Sequence, residues 1–281
     1  MNNLQTSYLF CRRIARTRAK NFYYSFLLLS NEQKDSMCAI YAFMRYCDDI
    51  SEGEAASSEA INQWRADLDR ALTGQYPPNP LWPAFHDTVK RYRIPHKYFL
   101  EMIDGVSGDL NPREIQTFDE LYRYCYQVAS VVGLTIIHIF GFDNPEALAL
   151  AEKCGIAFQL TNILRDVRED RENHRIYIPS EDIQRFSANL AQYDSNFVEL
   201  MRFEAGRARQ YYDESYPLIG LVHKNSRRSL WALIEIYRRL LIRIEQSNFD
   251  VLHRRIRVPT WEKLSILAKA SWPRMNANKR E

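Results

Sequence analysis

The chain has 281 residues, 46% of them apolar and only 9 of them glycine, which allows a sizeable core and argues against a sheet protein. Its 38 basic and 35 acidic residues leave a formal charge of +3, so no global case for nucleic acid exists. The five cysteines, at positions 11, 38, 47, 125 and 154, form no Cys-x-x-Cys or Cys/His cluster; they speak against zinc and a disulfide framework and for a reducing compartment.

The first residues, Met1-Asn-Asn-Leu-Gln-Thr6, show no basic region followed by an apolar run, and no stretch approaches the ~20 apolar residues of a membrane span. The expectation is a cytoplasmic protein, soluble or peripheral to a membrane. A first helix is predicted over 6–29, basic early and apolar late, with Phe22 and Phe26 on one face. Ser30-Asn-Glu-Gln33 reads as a capping box that opens a helix reaching Glu52. A polar break at 53–58 precedes a helix over 59–72, and four prolines (77, 78, 80, 83) mark a connection. Short helices are predicted over 81–92 and 96–107. Thr117-Phe-Asp-Glu120 is a second capping box, opening a helix to Phe140 on which Tyr124, Val128, Val131 and Thr135 share a face.

Asn144-Pro145 begins a helix to Asp170. Residues 171–179 break the pattern and read as a loop, with a lid or an ordinary connector as its two uses. A short helix from Ser180, two long ones over 195–220 and 225–247, and a last one from Pro259 complete the chain; the end, about 270–281, is expected to fray. The reading is one all-α domain over 1–281, with many helices and no linker.

Two acidic stretches organise it. In Tyr41-Ala-Phe-Met-Arg45-Tyr-Cys-Asp48-Asp49-Ile-Ser-Glu52, Tyr41, Arg45, Asp48 and Glu52 fall within about 60° of one helix face. In Gln159-Leu-Thr-Asn162-Ile-Leu-Arg165-Asp166-Val-Arg-Glu-Asp170, Gln159, Asn162, Asp166 and Asp170 fall within about 80°. Both emerge from apolar runs. Carboxylates four apart repel by roughly 0.2–0.5 kcal/mol even in water, and burial worsens this unless a cation compensates. Carboxylate and amide oxygens suit Mg²⁺ shared with phosphates, and Arg45 and Arg165 offer planar forks for phosphate oxygens. A solvated charged face is the ordinary fate of one such pair; two of them, each beside an arginine, argue for a site.

Asp48-Asp-Ile-Ser-Glu52, Tyr124-Cys-Tyr-Gln-Val-Ala-Ser-Val-Val-Gly133 and the stretch from Gln159 to Asp170 together resemble the squalene/phytoene synthases, over residues 8–256. Arg175-Ile-Tyr-Ile-Pro179 and Ile234-Glu-Ile-Tyr237 extend the likeness. The resemblance implies an all-α isoprenoid-synthase fold around a central cavity. It implies Mg²⁺ held by Asp48, Glu52, Asn162, Asp166 and Asp170. Tyr41, Arg45, Gln159, Arg165, Tyr237 and Arg254 would meet the substrate diphosphates, and Tyr124 would assist proton handling. Glu52 stands where the family usually has Asp, and Ala19 and Asn21 stand where it often has serines.

The reaction that follows is ionisation of an allylic diphosphate, attack by a second substrate's double bond, and loss of a proton to give a cyclopropyl diphosphate. Phe22, Phe26, Val128 and Val131 are the candidates to line the cavity, aromatic faces being able to steady a cation by about 0.5–2 kcal/mol. The first reading is condensation of two farnesyl diphosphates to presqualene diphosphate, with continuation to squalene open. The alternative is phytoene synthase acting on two geranylgeranyl diphosphates. From another class stands a non-catalytic relative serving as an assembly protein, against which the retained Asp48, Asp166 and Asp170 argue; a terpene cyclase would lack this motif set. No Gly-x-Gly-x-x-Gly unit supports NADPH, whose use stays open. Membrane contact for product release and the oligomeric state are open as well. The basic cluster Arg254-Arg255-Ile-Arg257 is read as a solvated face at Arg255 and Arg257.

Overall fold

A computed structural model describes residues 3–51, 56–108, 110 and 114–271, with Lys20 and Asn21 through their backbone only. In chain order the helices are α1 (Asn3–Arg18), α2 (Lys20–Phe26), α3 (Asn31–Ser51), α4 (Ser58–Leu72), α5 (Trp82–Tyr92), α6 (His96–Gly108), α7 (Phe118–Cys125) and, after a π-helical turn (Tyr126–Ser130), α8 (Val131–Phe140). Then come α9 (Glu146–Glu172), α10 (Ser180–Arg185), α11 (Ser195–Ser215), α12 (Leu218–Leu221), α13 (Arg227–Gln246) and α14 (Thr260–Ser271). Among the described residues there is no strand, only one isolated bridge between Phe142 and Val222. All five cysteines are buried and free.

The long helix α9 is the axis. It packs against α7, the π-helical turn, α8, α11, α12 and α13. Its approach to the π-helical turn depends on Gly155: a Cβ there would lie 2.5 Å from Ser130 Cα and 2.8 Å from the Ala129 carbonyl oxygen. A second cluster closes the far flank, where Phe43 of α3 stacks on Phe85 and Trp64 with centroids 4.6 and 5.6 Å apart and meets Phe99 edge-on. Aromatic pairs of this kind add about 0.5–1.5 kcal/mol beyond the area they bury.

Several helices differ from their predicted form. The first breaks at Ala19 into α1 and α2, because Ala19 adopts φ −75°, ψ 1°. Ser30 caps α3 through the Gln33 N–H at 3.2 Å, and Gln33 Oε1 reaches back to accept from the Ser30 hydroxyl at 3.2 Å. The Gln33 Nε2 donates in addition to the Ile139 carbonyl and to Ser226 Oγ, tying α3 to the end of α8 and the start of α13. The helix over 195–220 ends at Ser215, and Pro217 precedes the short α12.

The 171–179 segment is a pinned connector. Tyr177 stacks on Tyr124, 4.7 Å between centroids. The Ser180 N–H donates to the Ile115 carbonyl at 2.9 Å, and Glu181 accepts from the Phe118 N–H at 2.7 Å, supplementing the Thr117 cap of α7. Asp182 and Glu204, each with a side chain only 4% exposed, share the Arg207 guanidinium, which lies between the Phe118 and Phe203 rings. Burial, and the charge of Asp182, push the Glu204 carboxyl up to about 7 against the opposing pull of Arg207.

Candidate active site

The helices enclose a cavity of about 1270 Å³. The two acidic stretches both reach it: Tyr41, Arg45 and Asp48 from α3, and Gln159, Asn162, Arg165, Asp166 and Asp170 from α9. Along α9 the lining passes from Ala151, Cys154 and Gly155 through Phe158 to this polar set. One face of one helix therefore carries both the apolar depth and the charged mouth. From Ala151 to Asp166 the rise is about 22 Å at 1.5 Å per residue.

At the mouth Asp166 is held by two arginines. Arg165 forks onto it, with Nε 2.8 Å from Oδ1, and Arg255 reaches Oδ1 at 3.1 Å while also pairing with Glu169. Asp170 is placed differently. Burial, reinforced by Asp166 and Glu169, pushes its carboxyl up to about 7. On α3, Arg45 pairs with Asp49 and lies 3.8 Å from Asp48. The Asn162 Oδ1 is buried without a hydrogen-bond partner, while its Nδ2 contacts Gln159 Oε1 at 3.4 Å.

Below the carboxylates lies an aromatic stack. Tyr237 lies flat on Phe158 at 4.3 Å and takes the edge of Phe22 at 5.6 Å. Burial pushes the Tyr237 hydroxyl up to about 12, against the lowering by Arg165 and Asn162. Tyr124 and Val128 also line the cavity.

Four predicted site residues fall elsewhere or outside the described residues. Val131 is buried in the core and away from the cavity. The π-helical turn adds one residue to the helix, so the lining shifts to Val128, Ala129, Val132, Gly133 and Ile136. Phe26 is a core residue, edge-on to Tyr23 at 6.3 Å. There α2 tightens into i→i−3 bonds, Leu28 to Ser25 and Leu29 to Phe26, and Phe26 turns from the line of Phe22. Arg254 is exposed, with only Asp250 at 4.0 Å, and its neighbour Arg255, read from the sequence as solvated, takes the place on Asp166. Arg257 joins the cavity wall too. Glu52 lies outside the described residues.

Sequence reasoning also missed Tyr177 and Arg175 as members of the cavity wall; both sit in the stretch it had treated as a loop.

The donor set suits a divalent cation. Asp48, Asn162, Asp166 and Asp170 supply only hard oxygens; the Asn162 oxygen is unsatisfied, and Asp170 stands among like charges. Among the described residues no three His, Cys, Asp or Glu side chains converge into a protein-only metal cage. Mg²⁺ commonly binds through one or two carboxylates plus substrate phosphates and waters, a chemistry that these oxygen donors match.

The squalene/phytoene synthase family model matches residues 8–262. The chain belongs to the squalene/phytoene synthase family. It is 36% identical to a phytoene synthase of Arthrospira platensis, covering 94% of this chain and 92% of that one. It is 34% identical to the 15-cis-phytoene synthase of Synechococcus elongatus, over 95% of this chain and 93% of that one. A dehydrosqualene synthase structure superposes with a TM-score of 0.89 at 28% identity, covering 98% of both chains. The squalene synthase HpnC of Alicyclobacillus acidocaldarius superposes with a TM-score of 0.81 at 26% identity, over 88% of this chain and 95% of that one. As a squalene/phytoene synthase, this protein is an all-α transferase that condenses prenyl diphosphates head to head.

Proposed function

We propose that this enzyme joins two geranylgeranyl diphosphates through a cyclopropyl diphosphate to phytoene. The observation that carries the longer substrate is near end-to-end identity of 34–36% with relatives named phytoene synthase. Bulky Phe22 and Phe26 would favour the shorter farnesyl chain if they floored the cavity. Phe26 lies outside the wall, and Phe22, which is in it, meets Tyr237 edge-on at 5.6 Å. At roughly 5 Å per isoprene unit from ordinary carbon–carbon bond lengths, a C20 tail needs about 20 Å, close to the rise between Ala151 and Asp166. The likeness to a dehydrosqualene synthase keeps the farnesyl reading as the second one.

In this reading Asp48, Asn162, Asp166 and Asp170, with Glu52, hold Mg²⁺, which supplies charge neutralisation of the departing diphosphate. Arg165, Arg255 and Arg45 take phosphate oxygens by planar forks. Tyr41, Gln159 and Tyr237 orient the same end, Tyr237 from beneath through its contact with Asn162. Phe22, Phe158 and Tyr237 present aromatic faces to the allylic cation. Tyr124, fixed by its stack on Tyr177, stands at the wall to move the proton lost on cyclopropane closure. The apolar wall excludes water that would trap the cation.

The test is incubation of the purified protein with Mg²⁺ and each diphosphate separately, with and without NADPH, and identification of the lipids by mass. The expected product is a C40 hydrocarbon from the C20 substrate without NADPH. Products from the C15 substrate alone would replace this reading with the farnesyl one, and no diphosphate release from either would overturn both.

A further inference from the structure

Helix α14 buries one side and leaves an apolar stripe on the other. Ile266, Leu267 and Ala270 pack on Ala232 and Ile236 of α13. Trp261 is 67% exposed and Leu264 52%; with exposed Ala268 they fall within about 60° of one face at 100° per residue. Leu27, 49% exposed, lies one turn beyond Tyr24, whose ring faces Lys263 Nζ at 5.1 Å, on the segment that packs against α14. The stripe adjoins the cavity: Pro259, Thr260 and Lys263, in the same first turn, line its wall.

Among the described residues the charge around this stripe is basic. Arg257 and Lys263 line the adjoining cavity wall and Lys269 lies on the flank of the stripe, and Arg257 makes no ion pair with a described residue. The one acid of α14, Glu262, is buried and taken up by Arg239 and Arg243. Tryptophan with basic neighbours is the composition that sits at headgroup level of a bilayer. Two copies of this face would bring like charges together, which disfavours self-association. No described helix is long and apolar enough to cross a membrane, so the contact is superficial.

We propose that Trp261, Leu264 and Leu27, flanked by Arg257 and Lys269, form the surface that docks the protein on an anionic lipid bilayer beside the cavity. The head-to-head reaction makes a lipid too apolar to leave through water, and a mouth set against the bilayer gives it a dry exit. The proposal rests on the reaction class and not on chain length.

Flotation of the full chain with vesicles of phosphatidylcholine, alone or mixed with phosphatidylglycerol, tests it without reference to activity. The expected result is binding to the anionic vesicles that weakens on neutral ones and in salt. Trp261→Ser with Leu264→Ser should lower it on the order of tenfold or more while turnover of detergent-dispersed substrate stays unchanged. Bromine-labelled lipid should quench tryptophan fluorescence in the native chain and less in the milder Trp261→Phe variant. Failure of the native chain to float, equal binding by the double variant, or loss of a dimer in the variant without any vesicle binding would each overturn the proposal.

Discussion

Substitution Arg207→Met tests how the connector that carries Tyr177 is held. Asp182 and Glu204 have one shared cation, and both side chains are 4% exposed. Removing only the cation leaves uncompensated buried carboxylates, at a cost of about 3–5 kcal/mol. For a chain of this size that lowers Tm by roughly 6–15 °C. The loss depends on pH with a definite sign. The folded carboxyl of Glu204 is raised from 4.5 to about 7, so its contribution to stability is complete below 4.5 and is lost as pH rises through 7. Without the lowering by Arg207 the Glu204 carboxyl holds its proton still more tightly when folded, and the variant loses more stability at pH 8 than at pH 5.5. Adding Asp182→Asn and Glu204→Gln restores most of it, since a neutral buried cluster carries no unpaired charge. Since α10 anchors the strand of chain that stacks Tyr177 on Tyr124, turnover of the single variant should fall by about 10–100-fold even where it remains folded. Thermal melts at both pH values and kcat measured well below Tm are the assays. A loss below about 1 kcal/mol at pH 8, or a loss equal at both pH values, would refute the reasoning.

Arg255→Gln should raise KM for the diphosphate substrate about tenfold or more, because a fork on the Asp166 side of the mouth is lost. Arg254→Gln, at an exposed residue 4.0 Å from its acid, should leave KM nearly unchanged; equal effects of the two would refute the placement. Gly155→Ala should cost about 1–3 kcal/mol in a denaturant melt, because its Cβ would meet backbone atoms that cannot yield. Asp166→Asn should lower kcat on the order of 10²-fold with the fold intact by circular dichroism; an unchanged kcat removes Asp166 from the proposed cation site.

What could be read in the sequence was what helical periodicity controls. The second acidic stretch and the first as far as Ser51 lie on unbroken helices, α9 and α3, so Tyr41, Arg45 and Asp48 did share a face and did reach one cavity with Gln159, Asn162, Asp166 and Asp170. The Val131 expectation failed because a π-helical turn leaves the apolar pattern almost unaltered while rotating everything after it by one residue. The break at Ala19 had no proline or glycine to announce it. Arg255 was out of reach for a different reason. Asn248 and Phe249 take φ of 53° and 63°, and the irregular chain that follows has no period from which to tell one arginine from the next. The further bonds of Gln33 Nε2 to Ile139 and Ser226 are tertiary, invisible to a local capping rule.

The two stretches are unequal in how they meet charge. On α9, Asp166 is matched by Arg165 and Arg255, whereas at Asp170 burial and two neighbouring acids outweigh Arg175 and Arg165, and Asn162 Oδ1 has no donor. An arginine can occupy the place of a cation on Asp166; at Asp170 burial and the charges of Asp166 and Glu169 outweigh the opposing pull of Arg175 and Arg165 and push the carboxyl towards the neutral form. A dication arriving with diphosphate would compensate Asp170 and Asn162, and the diphosphate would draw Arg165 and Arg255 from Asp166 onto its own oxygens. Substrate and cation would therefore bind more tightly together than apart. That coupling suits a cavity in which an ionisation before both had bound would only lose the allylic cation to water.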